Sequence, residues 1–200
     1  LEIIQRHPRE AVIVYCLSRK ESENVAAELI NRGVRAAVYH AGIDRKKRTA
    51  TQELFDREEI DVVVATVAFG MGIDRSNVRC VIHVSMPKSV EQYQQETGRA
   101  GRDGLEAECV LLYSGADAHR WERLIRMSAA EAEVEAEVTD AQIGLLRHMQ
   151  NLAGSVSCRH RALVKYFGQT YGDANCHPCD VFRRVRQGME GAQVVADRSQ

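Results

Sequence analysis

The chain carries little excess charge and no long apolar run, and each absence removes a class of protein. Its 27 Lys and Arg nearly balance 28 Asp and Glu, for a formal net charge of −1 over 200 residues. No global positive field exists to hold nucleic acid by counterion release alone, so any such binding must be local and shared among elements. Nowhere do apolar residues run for the ~18 positions that a membrane helix needs. The N-terminus also lacks the basic segment and apolar core of a signal peptide. These absences predict a soluble, cytoplasmic protein with no membrane partner. An initiator Met is missing too: LEIIQRHPRE reads as the tail of a helix closed by Pro8, whose ring cannot continue the helical ladder, and the chain reads as a fragment. No repeat of solenoid period is present.

What is present first is a rhythm. Short apolar runs (VIVYC, VRAAVYH, IDVVVAT, VRCVIHV, AECVLLY) alternate with segments of helical period between Val12 and Tyr113. That alternation predicts an α/β fold: an open parallel sheet with crossover helices. Ser18, with Glu21 three residues later, has the form of a capping box, and Gly33 marks the end of the same helix. Val25, Ala26, Leu29 and Ile30 are its expected sheet-facing residues. A second helix is expected within DRKKRTATQELFDRE, and a third opens at Ser89 with Gln92 in the capping-box position. After Tyr113 only helices are expected, at roughly 117–127, 140–152 and 158–167. The stretch SAAEAEVEAEVTD is acidic and poor in large apolar residues, and reads as a linker or exposed helical arm. The predicted organisation is an α/β domain over 1–116, a connector over 117–139, a helical subdomain over 140–190 and a tail over 191–200.

Two strings carry chemistry. In QYQQETGRAGRDG, residues 92–104, Arg99 and Arg102 lie three apart among Gly98, Gly101 and Gly104. That spacing on a helical turn predicts two guanidiniums on one side, and glycine lets backbone approach a ligand closely. Guanidinium forks match phosphate oxygens and can stabilise the charge that develops as a γ-phosphate leaves. The alternative is a surface turn with solvated arginines. In ATVAFGMGIDRSNV, residues 65–78, Thr66, Gly70, Gly72 and Asp74 follow a strand, and ligands of open α/β sheets bind at the carboxyl ends of strands. Asp74 could accept from a ribose hydroxyl, and Thr66 could donate to a nucleic-acid phosphate.

Together these strings resemble the second RecA-like domain of helicases, and their wording resembles the RecQ family. VIVYCLSRKESENVAAEL is similar to its motif IV region, ATVAFGMGID to motif V and QYQQETGRAGRDG to motif VI. The resemblance implies a RecA-like, P-loop NTPase-type sheet and an ATP-dependent 3′-to-5′ DNA helicase of repair and recombination. It implies single-stranded and forked DNA as partners. Carried over by residue, it makes Arg102 the arginine finger, with Arg99 an adjoining phosphate or partner-domain contact. Asp74, Gly70, Gly72 and Gln95 fall at the nucleotide cleft, and Ser18, Arg19, His40 and Thr66 near the DNA track. ATP with Mg²⁺ would be shared with the family's first RecA-like domain. The chain has no GxxxxGK[ST] string and no acidic DExH box, so it is expected not to hydrolyse ATP alone. A stand-alone zinc-type nucleic-acid-binding module and an RNA helicase fragment are the rival readings.

Of six cysteines, Cys16, Cys80 and Cys109 sit singly in apolar runs and read as buried thiols, whereas Cys158, Cys176 and Cys179 gather late in the chain. Clustered thiols in a cytosolic-type protein suggest metal before disulfide. CRHRALVKYFGQTYGDANCHPCDVF, residues 158–182, resembles the RecQ zinc subdomain, which implies Zn²⁺ on those three cysteines. The bacterial pattern has a fourth Cys where this chain has Phe182, and phenylalanine cannot bind metal. His177 and Asp180 are the nearest substitutes, with His160 a third option. Arg159 and Arg161, with Lys165, Arg183, Arg184 and Arg186, are a candidate DNA-backbone surface, the alternative being an ordinary solvated helix face.

Overall fold

A computed structural model describes the chain except for residues 68, 70–74, 173–175, 177, 178, 182–194 and 200, and for residues 195–199 it describes the backbone alone. It divides into two compact units. One comprises Leu1–Val84, Glu96–Val110 and Arg198–Gln200, the other Ser85–Gln95 and Leu111–Asp197.

The first unit is built on a sheet. Its strands are β1 (Ala11–Tyr15), β2 (Ala36–Tyr39), β3 (Val62–Ala65), β4 (Val78–His83) and β5 (Ala107–Leu111), with β6 (Val195–Ser199) at the edge in the order β2-β3-β1-β4-β5-β6. The first five are the five apolar runs of the sequence; β6, whose residues read VADRS, has no such signal. β1 pairs in parallel with β3, in register Val12↔Val62 to Tyr15↔Ala65, and with β4, where the register shifts between Ala11 and Val12. Every residue of β1 and β3 is buried, as expected where helices cover both faces of a parallel sheet. The core joins Ile13, Tyr39, Phe55, Val63, Phe69 and Val81, with Phe69 edge-on to both Tyr39 and Phe55.

The helices of this unit are α1 (Glu2–Gln5), α2 (Arg19–Asn31), α3 (Arg45–Asp56) and the end of α4 (Val90–Thr97). At the start of α2, Ser18 Oγ accepts from Glu21 N at 3.1 Å, while the Glu21 carboxylate accepts from Leu17 N at 2.8 Å, one residue before the N-cap. The helix ends in a Schellman pattern: Gly33 at φ +80°, with Gly33 N bonded to Ile30 O and Val34 N to Leu29 O. Its buried stripe is Ser22, Ala26 and Leu29. Ile30, expected against the sheet, is 52% exposed. A stripe at i, i+4 and i+7 leaves the residue after Leu29 about 100° round the helix. Asp44 caps α3 through Lys46 N, which offsets the four basic residues, Arg45 to Arg48, in its first turn.

The second unit is helical. α5 (Gly115–Glu131) and α6 (Ala136–Gly154) meet near the acidic stretch, which is helical on either side of a short break and mostly exposed. α7 (Arg159–Tyr166) follows. Ile125, Ile143, Leu146 and Met149 form the centre with Met86 and Tyr93, and Trp121 Nε1 donates to Met86 O at 2.6 Å. Among the described residues no helix is long and apolar enough to cross a membrane.

Candidate functional site

The glycine-arginine segment leaves α4 as a series of turns rather than as more helix. Gly101 (φ +64°) and Gly104 (φ +81°) take left-handed backbone that other residues adopt at a cost, and Gly101 N donates to Val78 O at 2.9 Å. The two arginines therefore do not share a side. Arg99 is 6% exposed and its Nε has no hydrogen-bond partner among the described residues, whereas Arg102 is exposed with Nε donating to Gly98 O at 3.2 Å.

The segment adjoins a buried polar network with no counterpart in the sequence reading. Tyr15, at the end of β1, donates to Phe69 O at 2.9 Å, and its hydroxyl feels the nearby Arg99 guanidinium. Burial pushes its phenol pKa up, partly opposed by the positive charges of Arg99 and Arg102. Its ring stacks on His83 at 5.3 Å, and His83 Nε2 meets Glu96 Oε2 at 2.7 Å. Glu96 lies inside QQETGR, so its type was visible; its partner at the end of β4 was not.

Thr66, half-buried, opens a turn after β3 in which Phe69 N donates to Thr66 O. Asp74, Gly70 and Gly72 lie outside the described residues. Arg75 just beyond is buried over the Phe55 ring at 4.5 Å and donates to Phe55 O and Asn77. Gln95 is exposed on α4.

Ser18 and Arg19 are exposed at the start of α2. The Arg19 guanidinium and the His40 ring both close on Gly42, where an added Cβ would meet them at 3.1 Å. His40, expected near the DNA track, is buried. Gly42 N donates to its Nδ1 at 3.2 Å, so Nε2 carries the proton and meets Glu23 Oε1 at 3.0 Å. Its ring is occupied in fixing the β2–α3 turn. The basic residues there, Arg45 to Lys47, are exposed and were overlooked, although the run RKKR was legible.

The late cysteines converge. Cys158, His160, Cys176 and Cys179 place one ligand atom each within 4.8 Å of all the others. His160 Nδ1 is 2.8 Å from Cys176 Sγ, and Cys158 and Cys179 sulfurs are 3.9 Å apart. Burial pushes the Cys176 thiol up to about 12, so without a cation the pocket disfavours thiolate. Three sulfurs and an imidazole nitrogen in a tetrahedral-sized group fit zinc. His177 and Phe182 lie outside the described residues. Asp180, expected as a substitute ligand, is not in the group: it is buried and accepts from Arg159 Nε at 3.0 Å and from its Nη2 at 3.4 Å. That pairing also corrects the placing of Arg159 on a DNA surface, since its remaining arm donates to Leu152 O. Arg161 is exposed, lining with Lys165, His148 and Tyr166 a cleft of about 600 Å³. The isolated thiols Cys16, Cys80 and Cys109 are buried, and burial raises Cys16 to about 12.

The open parallel α/β sheet, with its arginine-bearing turns after α4, has a RecA-like fold. The chain matches the family model of the helicase conserved C-terminal domain over residues 1–104 and that of RecQ zinc-binding over 115–183. It is 41% identical over 194 residues to the RecQ-like DNA helicase blm-1 of Caenorhabditis elegans, covering 95% of this chain and 19% of that protein. It is 45% identical over 172 residues to the ATP-dependent DNA helicase RecQ of Pasteurella multocida, covering 84% and 26%. The chain thus spans about a quarter or less of the length of these relatives. A solved DEAD box protein from Methanococcus jannaschii shares the fold, with TM-score 0.50 and 24% identity over 59% of this chain and 32% of that one. The chain belongs to the helicase conserved C-terminal domain family and is the C-terminal region of a RecQ-type member.

Proposed function

We propose that the chain is the C-terminal motor half of an ATP-dependent 3′-to-5′ DNA helicase acting in repair and recombination in the cytoplasm. Its partners are single-stranded and forked DNA and the first RecA-like domain of the same protein. ATP with Mg²⁺ is shared with that domain, which brings the phosphate loop and magnesium ligands. The observation that carries this reading is the contrast within one segment: Arg99 buried against Tyr15, Arg102 exposed. The buried arginine holds the turn, and the exposed one offers a charged fork to a departing γ-phosphoryl group. An arginine so placed contributes about 10³–10⁵ in rate once the nucleotide is held elsewhere. Ser18, Arg19 and Thr66 form the DNA track with the basic start of α3, and Asp74 with Gly70, Gly72 and Gln95 lines the nucleotide cleft. Zn²⁺, held by Cys158, Cys176 and Cys179, would anchor the first turn of α7 to the segment around residues 176–179 and supply folding energy there.

The stand-alone binding-module reading is not favoured, because the motor-domain match covers residues 1–104. The relatives' names favour DNA over RNA. The test joins this chain to its own first domain and replaces Arg102 by Ala. DNA-stimulated ATP hydrolysis is expected to fall at least about 10³-fold with nucleotide binding retained; undiminished hydrolysis would remove the arginine-finger role.

A further inference from the structure

We infer that His160 closes the zinc site, so that the metal sits on Cys158, His160, Cys176 and Cys179 in place of four cysteines. This deepens the zinc reading above and rests on it. Three observations converge. The position that carries a fourth thiol in the family pattern is Phe182, so the three cysteines lack a partner from that side. Asp180, the neighbouring carboxylate, has both oxygens engaged by the buried Arg159 guanidinium. His160 alone among the described non-cysteine side chains stands with the three sulfurs, all four ligand atoms within 4.8 Å of one another.

The placement follows from α7. Cys158 is its N-cap and His160 its second residue, so the two donors share the first turn. The imidazole stacks against Tyr171 at 6.3 Å and 17°, which turns Nδ1 toward Cys176 Sγ at 2.8 Å. Donor atoms on a zinc tetrahedron stand roughly 3.5–3.8 Å apart, from Zn–S of about 2.3 Å and Zn–N of about 2.0–2.1 Å. The 3.9 Å sulfur pair already has that spacing, and the imidazole must retreat by under about an ångström. Three thiolates and a neutral imidazole leave the centre at net −1, where four thiolates would leave −2. The N-terminal end of α7 favours the remaining charge.

X-ray absorption and elemental analysis of the purified chain test this, with affinity measured by chelator competition. The expected result is one zinc per chain with three sulfurs and one nitrogen in the first shell. His160→Ala should lose the nitrogen and weaken zinc by at least about tenfold. His160→Cys should regain tight zinc with a four-sulfur shell, which also separates ligand loss from a folding defect, and His177→Ala should change nothing. A nitrogen that persists in His160→Ala, or that disappears in His177→Ala, overturns the assignment while leaving the zinc reading standing. Absence of zinc from the parent chain, prepared in zinc-containing medium without chelator, overturns the zinc reading itself.

Discussion

Replacing Asp180 by Ala should be among the most damaging single changes in the helical unit. The Arg159 guanidinium donates twice to Asp180 and once to the Leu152 carbonyl, and the side chains of the pair are 7% and 4% exposed. Removing the carboxylate leaves a full positive charge in a site closed to water. Breaking a buried pair from one side costs about 3–5 kcal/mol, far more than the ~0–1 kcal/mol of a surface bridge. Replacing both partners, as Arg159→Met with Asp180→Ala, removes both charges together and should recover much of that loss. The assay is urea denaturation of the zinc-loaded chain followed by far-UV circular dichroism, run as a double-mutant cycle so that any shared effect on the neighbouring cysteines cancels. With a slope of about 1–3 kcal/mol per molar urea, Asp180→Ala should move the helical unit's midpoint down by at least about 1 M. A cost below about 1 kcal/mol, or a double variant no better than the single, would refute the argument. The cycle bears on DNA binding too: Arg159→Met should leave the salt dependence of DNA affinity unchanged in the protein joined to its first domain.

In that same protein, Arg19→Ala should weaken single-stranded DNA uniformly across sequences and reduce the slope of log affinity against log salt by up to about one, the signature of a lost phosphate contact; an unchanged slope would take Arg19 off the track. Tyr15→Phe deletes the hydroxyl that donates to Phe69 O near the Arg99 guanidinium, and should cost about 1–3 kcal/mol in urea unfolding of the sheet unit. His7 bridges Glu10 at 2.7 Å and Glu108 at 2.9 Å, and the Glu108 bond is the largest influence raising its pKa above 6.5. A raised folded-state pKa means its stabilisation is fully present below about pH 6.5 and lost as pH rises through the folded value. Melting temperature should therefore fall with rising pH above neutrality in the parent chain, more than in His7→Ala.

The strands were legible because a parallel strand buried on both faces is written as a continuous apolar run, and all five such runs became strands. Helix faces were less so: Ile30 and Leu29 are neighbours in sequence, and only the observed stripe decides which one turns inward. The arginines failed for a different reason. Nothing in the spacing of Arg99 and Arg102 reveals that α4 ends at Thr97 and that Gly101 turns the backbone between them, so that only Arg99 is buried. Arg159 and Asp180 lie far apart in sequence, so a count of basic residues marks a surface where packing makes a buried pair. That His160 would stand beside Cys158 depended on α7 starting at Arg159, which the three-option list of ligands did not contain.

The position of β1 has a consequence for how the chain is made. Among the described strands of this sheet it comes first in the chain, and it lies inside the sheet, flanked by β3 and β4. Neither neighbour exists until residues 62–65 and 78–83 have left the ribosome, so an apolar segment from Ala11 to Tyr15 must wait unpaired. Long-range parallel pairing of this kind is slow and exposes sticky edges meanwhile. Truncations ending between β3 and β4 should consequently leave one side of the central strand open and aggregate, whereas the natural order of synthesis shortens that interval to seconds.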